Sequence, residues 1–274
     1  MKLLSVMALT GSAALALVSL SQAARSDDLA ARFHGAYAGL NAGAAFGSTR
    51  FTTAPNCVSD AADGVFCVLP PDPSAVNGTT VAASGTGRLR STGFTGGVQA
   101  GYNWQAGTLV YGGEADVGAF SLRKSVTSNG TFPFPFLGTD YSVTDSMNAD
   151  WLATFRGRLG VTITPDVLLY ATGGLALTQF RFASSYRDNA IDVNFPGGTG
   201  SGNLSELRTG WTVGGGAQWA VNRTWSIKAE YLYVDFGSVS VAVPLSNTPA
   251  FTQAMQVGAK LSAHIARVGL NYRF

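Results

Sequence analysis

The last eleven residues, His264 to Phe274, split into two interleaved sets. His264, Ala266, Val268, Leu270, Tyr272 and Phe274 are mostly apolar, while Ile265, Arg267, Gly269, Asn271 and Arg273 are mostly polar. A period of two with unlike faces predicts a β-strand. The same alternation recurs upstream. Phe94, Gly96, Val98, Ala100, Tyr102 and Trp104 share a face of 92–105, and Leu109, Tyr111, Gly113, Ala115, Val117 and Ala119 share a face of 109–120. Segment 150–164 sets Trp151, Ala153, Phe155, Leu159, Val161 and Ile163 together. Segments 210–220 and 225–236 do the same with Trp211, Val213, Ala217 and Trp219, and with Trp225, Ile227, Ala229, Tyr231 and Tyr233. Two weaker stretches, 35–47 and 167–180, complete eight predicted strands. The facing of 167–180 is ambiguous from sequence.

The connections alternate in length. Short ones fall at 105–108, at Thr164-Pro165-Asp166 and at 221–224; long ones cover 48–91, 121–148, 183–208 and 237–259. A proline turn suits the second of the short links. This asymmetry predicts an all-β fold: an eight-stranded up-and-down antiparallel transmembrane β-barrel with short periplasmic turns and four long external loops. A soluble barrel has no need of it, and would keep its apolar face inside. Aromatic placement points the same way. Trp104, Trp219, Trp225, Tyr272 and Phe274 fall at one rim and Phe46, Phe94, Trp151 and Trp211 at the other, as membrane-interface girdles do.

Composition adds the compartment. Charged residues are only 12% of the chain and glycine contributes 34 residues, a low charge share for a soluble domain. The segment 1–23 carries one cation, Lys2, then an Ala-rich apolar run, then Ser21-Gln22-Ala23. It reads as a signal peptide, leaving 24–274 as the barrel domain. The formal net charge is +2, and Lys2 supplies one of those charges, so nucleic acid is not an expected partner. Cys57 and Cys67 are the two cysteines. In an exported chain they are expected to form a disulfide, and no histidine lies near them to suggest a metal.

The faces opposite the apolar stripes hold the charges. Glu114 and Asp116 lie on the third predicted strand, Arg156 and Arg158 on the fourth, Lys228 and Glu230 on the seventh, and Arg267 on the eighth. All seven should point into the lumen. Charges away from water must be paired, so an interior salt-bridge network is expected. It can serve as a structural plug or as a gate along an ion path. Eight strands leave an interior just wide enough for side chains, which disfavours passage of large solutes.

Catalysis is not expected, and neither is a cofactor. Ser262 and His264 share the outward face of the last strand, but a triad also needs an orienting carboxylate, and Asp235 is the nearest candidate in sequence. The Phe-Pro run 131–138 places Phe132, Phe134 and Phe136 in an external connection, either folded onto the barrel rim or offered as a contact patch.

The terminal stripe Leu270, Tyr272, Phe274 resembles the C-terminal signature that outer-membrane proteins present to the barrel assembly machinery. "GWTVGGGAQWAVNRTWSIKAEYLYVDFG" (210–237) and "LLYATGGLA" (168–176) resemble the small alphaproteobacterial outer-membrane protein family, variously described as porin-like, opacity-like or hemin-binding, whose barrel is similar to the OmpA transmembrane domain. The resemblance implies an integral protein of a Gram-negative outer membrane, in contact with its lipid and lipopolysaccharide. The expected role is structural: envelope integrity, with external loops as a recognition surface for a host or neighbouring cell. A narrow porin-like channel and a surface binder of hemin stand as alternatives.

Overall fold

In the computed structural model the described residues are 32–57, 76–133, 138–189, 198–246 and 253–274. The segment 1–23, Cys67, the side chain of Cys57, Phe134 and Phe136 fall outside them, and so does any Cys57–Cys67 pairing. Eight antiparallel strands form a closed barrel in sequence order. They are β1 (Gly35–Cys57), β2 (Gly87–Ala106), β3 (Leu109–Thr131), β4 (Asp140–Thr164), β5 (Val167–Asp188), β6 (Thr199–Ala220), β7 (Trp225–Ser246) and β8 (Gln253–Arg273). One helix, α1 (Val76–Ser84), lies between β1 and β2. The turn between β2 and β3 uses Gly107 at φ 60°. The turn between β6 and β7 is held by Asn222, whose side-chain oxygen accepts from the backbone N–H groups of Thr224 and Trp225 at 2.9 and 2.7 Å.

The strands are longer than the sequence pattern predicts. They run 20 to 25 residues, so 48–57, 87–91, 121–131, 140–148, 183–188, 199–208, 237–246 and 253–259, expected as loops, are strand. Apolar residues face outward only in the half nearest the short turns. There Leu40, Val98, Phe155, Leu175, Val213 and Val268 are all exposed. In the other half the polarity inverts. Phe51, Leu89, Leu122, Met147, Phe180, Phe182, Val257 and Leu261 are buried inside one apolar core, while Arg50, Arg123, Arg181 and Lys260 face out.

Two mechanisms produce the inversion. On β8 the inward residues stay odd-numbered, and only their chemistry changes, from Arg267 to Ile265, Ala263 and Leu261. On β4 and β7 a bulge changes which residues face in. The β4 ladder slips between Ala149 and Ala153, so the inward set passes from Leu152, Thr154, Arg156 and Arg158 to Tyr141, Val143, Met147 and Ala149. The β7 ladder slips between Asp235 and Ser238. Gly237 supplies the φ of 70° that this bulge needs, a conformation that favours glycine. Its N–H donates to Asp235 Oδ1 at 2.7 Å.

Pairing also changes with height. The β2–β3 ladder stops at Thr95–Phe120. The β6–β7 ladder breaks after Trp211–Asp235 and resumes only at Gly200–Leu245. The other six ladders continue into the far half. The near half is therefore one cylinder. The far half is two four-stranded leaves, β7-β8-β1-β2 and β3-β4-β5-β6, facing each other across the apolar core. α1 buries Val81 in that core, and Thr80 O accepts from the Tyr141 hydroxyl at 3.4 Å.

Candidate functional site

The lumen of the cylinder is the densest concentration of chemistry among the described residues. Its seven predicted charges come together in one network. β3 and β4 pair so that Glu114 stands opposite Arg156, and both project inward. Arg156 is the hub. Its Nη2 donates to Glu114 Oε1 at 2.5 Å and to Asp116 Oδ2 at 2.8 Å, and its Nη1 to Glu230 Oε1 at 2.9 Å. Lys228 Nζ reaches both Glu114 oxygens, at 2.7 and 2.8 Å. Arg267 bridges Glu230 and Asp116, at 2.7 and 3.0 Å. The side chains of these residues are between 0% and 4% exposed, so solvent does not screen them.

Arg158 is bound differently. It lies 3.6 Å from Glu114 Oε2 and donates to the Tyr37 hydroxyl at 3.0 Å and to Gln218 Oε1 at 2.9 Å. Its guanidinium stacks on the Tyr170 ring, 4.0 Å from the centroid. The four cations outnumber the three carboxylates, and the excess falls on Arg158, whose closest acceptors are the neutral oxygens of Tyr37 and Gln218; the carboxylates accept further bonds from hydroxyls. Tyr37 and Tyr170 donate to Glu114 and Glu230 at 2.8 and 3.0 Å, and Thr154 donates to Asp116 at 2.5 Å. Asn41, Gln99 and Asn271 continue the network sideways at 3.1 and 2.5 Å.

Sequence reading missed these neutral members. Tyr37 lies on the weak first stripe, and Tyr170 on the strand whose facing was ambiguous. Glycine offered a signal for both. A Cβ on Gly101 would run into the Tyr37 hydroxyl, and one on Gly216 would lie 2.8 Å from the Tyr170 hydroxyl. Inward glycines across from inward tyrosines leave room for the rings.

Apolar layers close the network above and below. On the short-turn side Phe33, Val110, Leu168 and Ala220 form a small cluster with Tyr170. On the other side Ala45, Phe120, Leu152, Ala176, Leu232 and Ile265 begin the large core. Phe132 also joins that core, 2% exposed, with its ring 5.0 Å from Tyr141.

The outer surface carries the two expected rims. Tyr102, Trp104 and Tyr111 form a ladder with centroids 4.7 and 5.7 Å apart, and Trp225, Tyr272 and Phe274 form another at 5.1 and 5.4 Å. At the opposite rim Phe46, Phe94 and Trp211 are about half exposed, and Tyr233 packs on Trp211 and His264. On β8 the rims are ten residues apart, His264 to Phe274. At about 3.4 Å per residue and a tilt of about 40°, that spans about 26 Å, the height of an outer-membrane apolar band.

Leu270, Tyr272 and Phe274 all face out, at 45%, 40% and 79% exposure, and β8 closes the ring on β1 from Tyr37–Arg273 upward. Deleting Phe274 is expected to lower the amount of assembled protein in the membrane several-fold, read as the heat-modifiable band on a gel. Undiminished assembly of the truncated chain would remove the terminal aromatic from the assembly step.

Comparison with known proteins agrees with the geometry. The family model "Outer membrane protein beta-barrel domain" matches residues 10–274. The 31 kDa outer-membrane immunogenic protein of Brucella melitensis is 35% identical over 192 residues, 70% of each chain. The 22 kDa outer membrane protein of Rhizobium leguminosarum is 31% identical over 147 residues, 53% of this chain and 54% of its own. Among solved structures, the outer membrane protein OprG from Pseudomonas aeruginosa aligns over 89% of this chain and 98% of its own, at 11% identity and a TM-score of 0.43.

Proposed function

The chain belongs to the outer membrane protein beta-barrel family, and from that premise we propose that it is a closed structural protein of the outer membrane which presents its outer half as a recognition surface. The observation that carries this reading is the filled lumen. A charged layer with side chains at most 4% exposed lies between two apolar clusters. An ion would have to part the salt bridges and then cross the large apolar core. The far half of the barrel stands beyond the apolar band, and so meets the cell's surroundings. Relatives in Brucella are named as immunogenic, which supports exposure of that half at the surface.

Catalysis finds no support in the outward face of β8. The Tyr231 hydroxyl lies 2.6 Å from His264 Nδ1. Ser262 Oγ donates to the Ser48 carbonyl at 3.4 Å. Asp235 is held by Lys260 at 3.3 Å and by the N–H of Gly237. Tyr233 donates to Asp235 Oδ2 at 3.2 Å and packs its ring on His264, but among the described residues no hydrogen bond joins the three side chains to one another.

Conductance tests the reading. The refolded protein in a planar bilayer should give no steady current steps at moderate voltage. Reproducible ohmic steps, altered in ion preference by Arg158→Ala, would favour the narrow channel instead.

A further inference from the structure

Outside the lumen, one surface patch is built against electrostatic preference. Arg50 on β1 pairs directly with Arg88 on β2 and with Lys260 on β8. Ser48, two residues nearer the rim, pairs with Arg90 and with Ser262. Four cations thus occupy adjacent positions on three neighbouring strands, and all four are exposed. Like charges directly opposite each other destabilise a ladder. Lys260 has a carboxylate at 3.3 Å, Asp235. No carboxylate among the described residues pairs with Arg50, Arg88 or Arg90. On the other leaf the arrangement is conventional: Arg123 and Arg181 share Asp150, at 2.5 and 2.9 Å.

The height of the patch selects its ligand. Arg50, Arg90 and Lys260 each stand four residues beyond an outward rim residue: Phe46, Phe94 and His264. At about 3.4 Å per residue and about 40° of tilt, these cations spring from the backbone about 10 Å above the rim, and their long side chains can reach back to the headgroup level. Below it, on β1 and β8 of those three strands, Ala42 and Ala266 leave an apolar groove of about 580 Å³ beside Val268 and, from β7, Tyr231. Ala266 lies six residues below Lys260, about 15 Å in height and within one leaflet of the hydrocarbon.

We infer that Arg50, Arg88, Arg90 and Lys260 form a binding site for the phosphate groups of an outer-leaflet phosphorylated glycolipid, with an acyl chain lying in the groove below. Guanidinium groups bind phosphate oxygens in forked pairs, and Ser48 and Ser262 place hydroxyls among them. The repulsion between paired cations becomes an attraction once phosphate sits between them.

The test uses the refolded chain in phosphatidylcholine nanodiscs containing either lipid A with its phosphates or enzymatically dephosphorylated lipid A. Thermal unfolding and a fluorescent-lipid titration are the readouts. Phosphorylated lipid A should raise the unfolding midpoint, and the dephosphorylated form should not. Arg50→Gln with Arg90→Gln should weaken lipid A binding about tenfold or more, while Arg123→Gln leaves it unchanged. The sign of the stability effect should also reverse. In phosphatidylcholine alone the double variant should be as stable as the parent or more so, and with lipid A less so. If that pair fails to refold, Arg88→Gln with Lys260→Gln is read in the same way. Equal stabilisation by both lipid forms would overturn the site. Inorganic phosphate at millimolar concentration abolishing the lipid effect would reassign it to soluble anions. A double variant that aggregates but binds lipid A normally would make the cations guards of the β2 edge, and the inference would fall.

Discussion

Arg156→Ala should be the most damaging single substitution in the lumen, costing roughly 3–5 kcal/mol of stability. The guanidinium touches Glu114, Asp116 and Glu230 at 2.5 to 2.9 Å. Removing it leaves three carboxylates facing one another with Lys228 and Arg267 between them and Arg158 at 3.6 Å from Glu114. Arg158→Ala should cost less, because its closest partners are the neutral Tyr37 and Gln218 and its carboxylate contact is 3.6 Å. Glu114→Ala combined with Arg156→Ala should fall well short of the sum of the two single effects, since each relieves part of the charge the other strands. If water filled the lumen, each effect would shrink to about 1 kcal/mol or less. Urea unfolding of the single and double variants in lipid vesicles distinguishes these outcomes, and small additive effects would count against a closed plug.

Phe182→Ala is the second. Phe182 is 1% exposed and stacks on Phe51 at 5.5 Å between centroids, joining β5 of one leaf to β1 of the other. The loss should be about 3–5 kcal/mol, as for a phenylalanine cut from a protein core. Its neighbour Arg181 faces out and shares Asp150 with Arg123 at the surface, so Arg181→Ala should cost at most about 1 kcal/mol. Protease sensitivity of the outer half, followed against urea, measures both. Equal effects at 181 and 182 would mean that the far half has no true core.

The cylinder was legible in the sequence because two unlike solvents act on its faces. Lipid selects Val98, Phe155 and Val268 outside, and the lumen selects Glu114, Arg156 and Arg267 inside, so the period of two is stark. The far half is equally periodic. Met255, Val257, Ala259, Leu261, Ala263 and Ile265 all point in, yet the first three fell in the stretch 237–259 expected as loop. Its apolar face is the inward one, the reverse of the membrane rule, and bulges at Ala149–Ala153 and Asp235–Ser238 shift the alternation midway along β4 and β7. A single rule of facing therefore stopped at the rim. The charged members of the network were visible as inward acids and bases. That Glu114 faces Arg156 depends on a ladder register which counting from turns does not resolve. Tyr37 and Tyr170 joined through ring size and the glycines that admit it, which composition does not report.

The missing ladders beside β3 and β7 bear on cooperativity. Below the rim every strand has a hydrogen-bonded neighbour on both sides, and none can leave without breaking the ring. Above it, two leaves meet chiefly through side chains, and parting them breaks few backbone bonds. The molecule can lose its outer half while the cylinder remains closed in lipid. Its unfolding is then a sequence of two transitions, with Phe182 governing the first and Arg156 the second, and no single midpoint or unfolding free energy describes the whole chain.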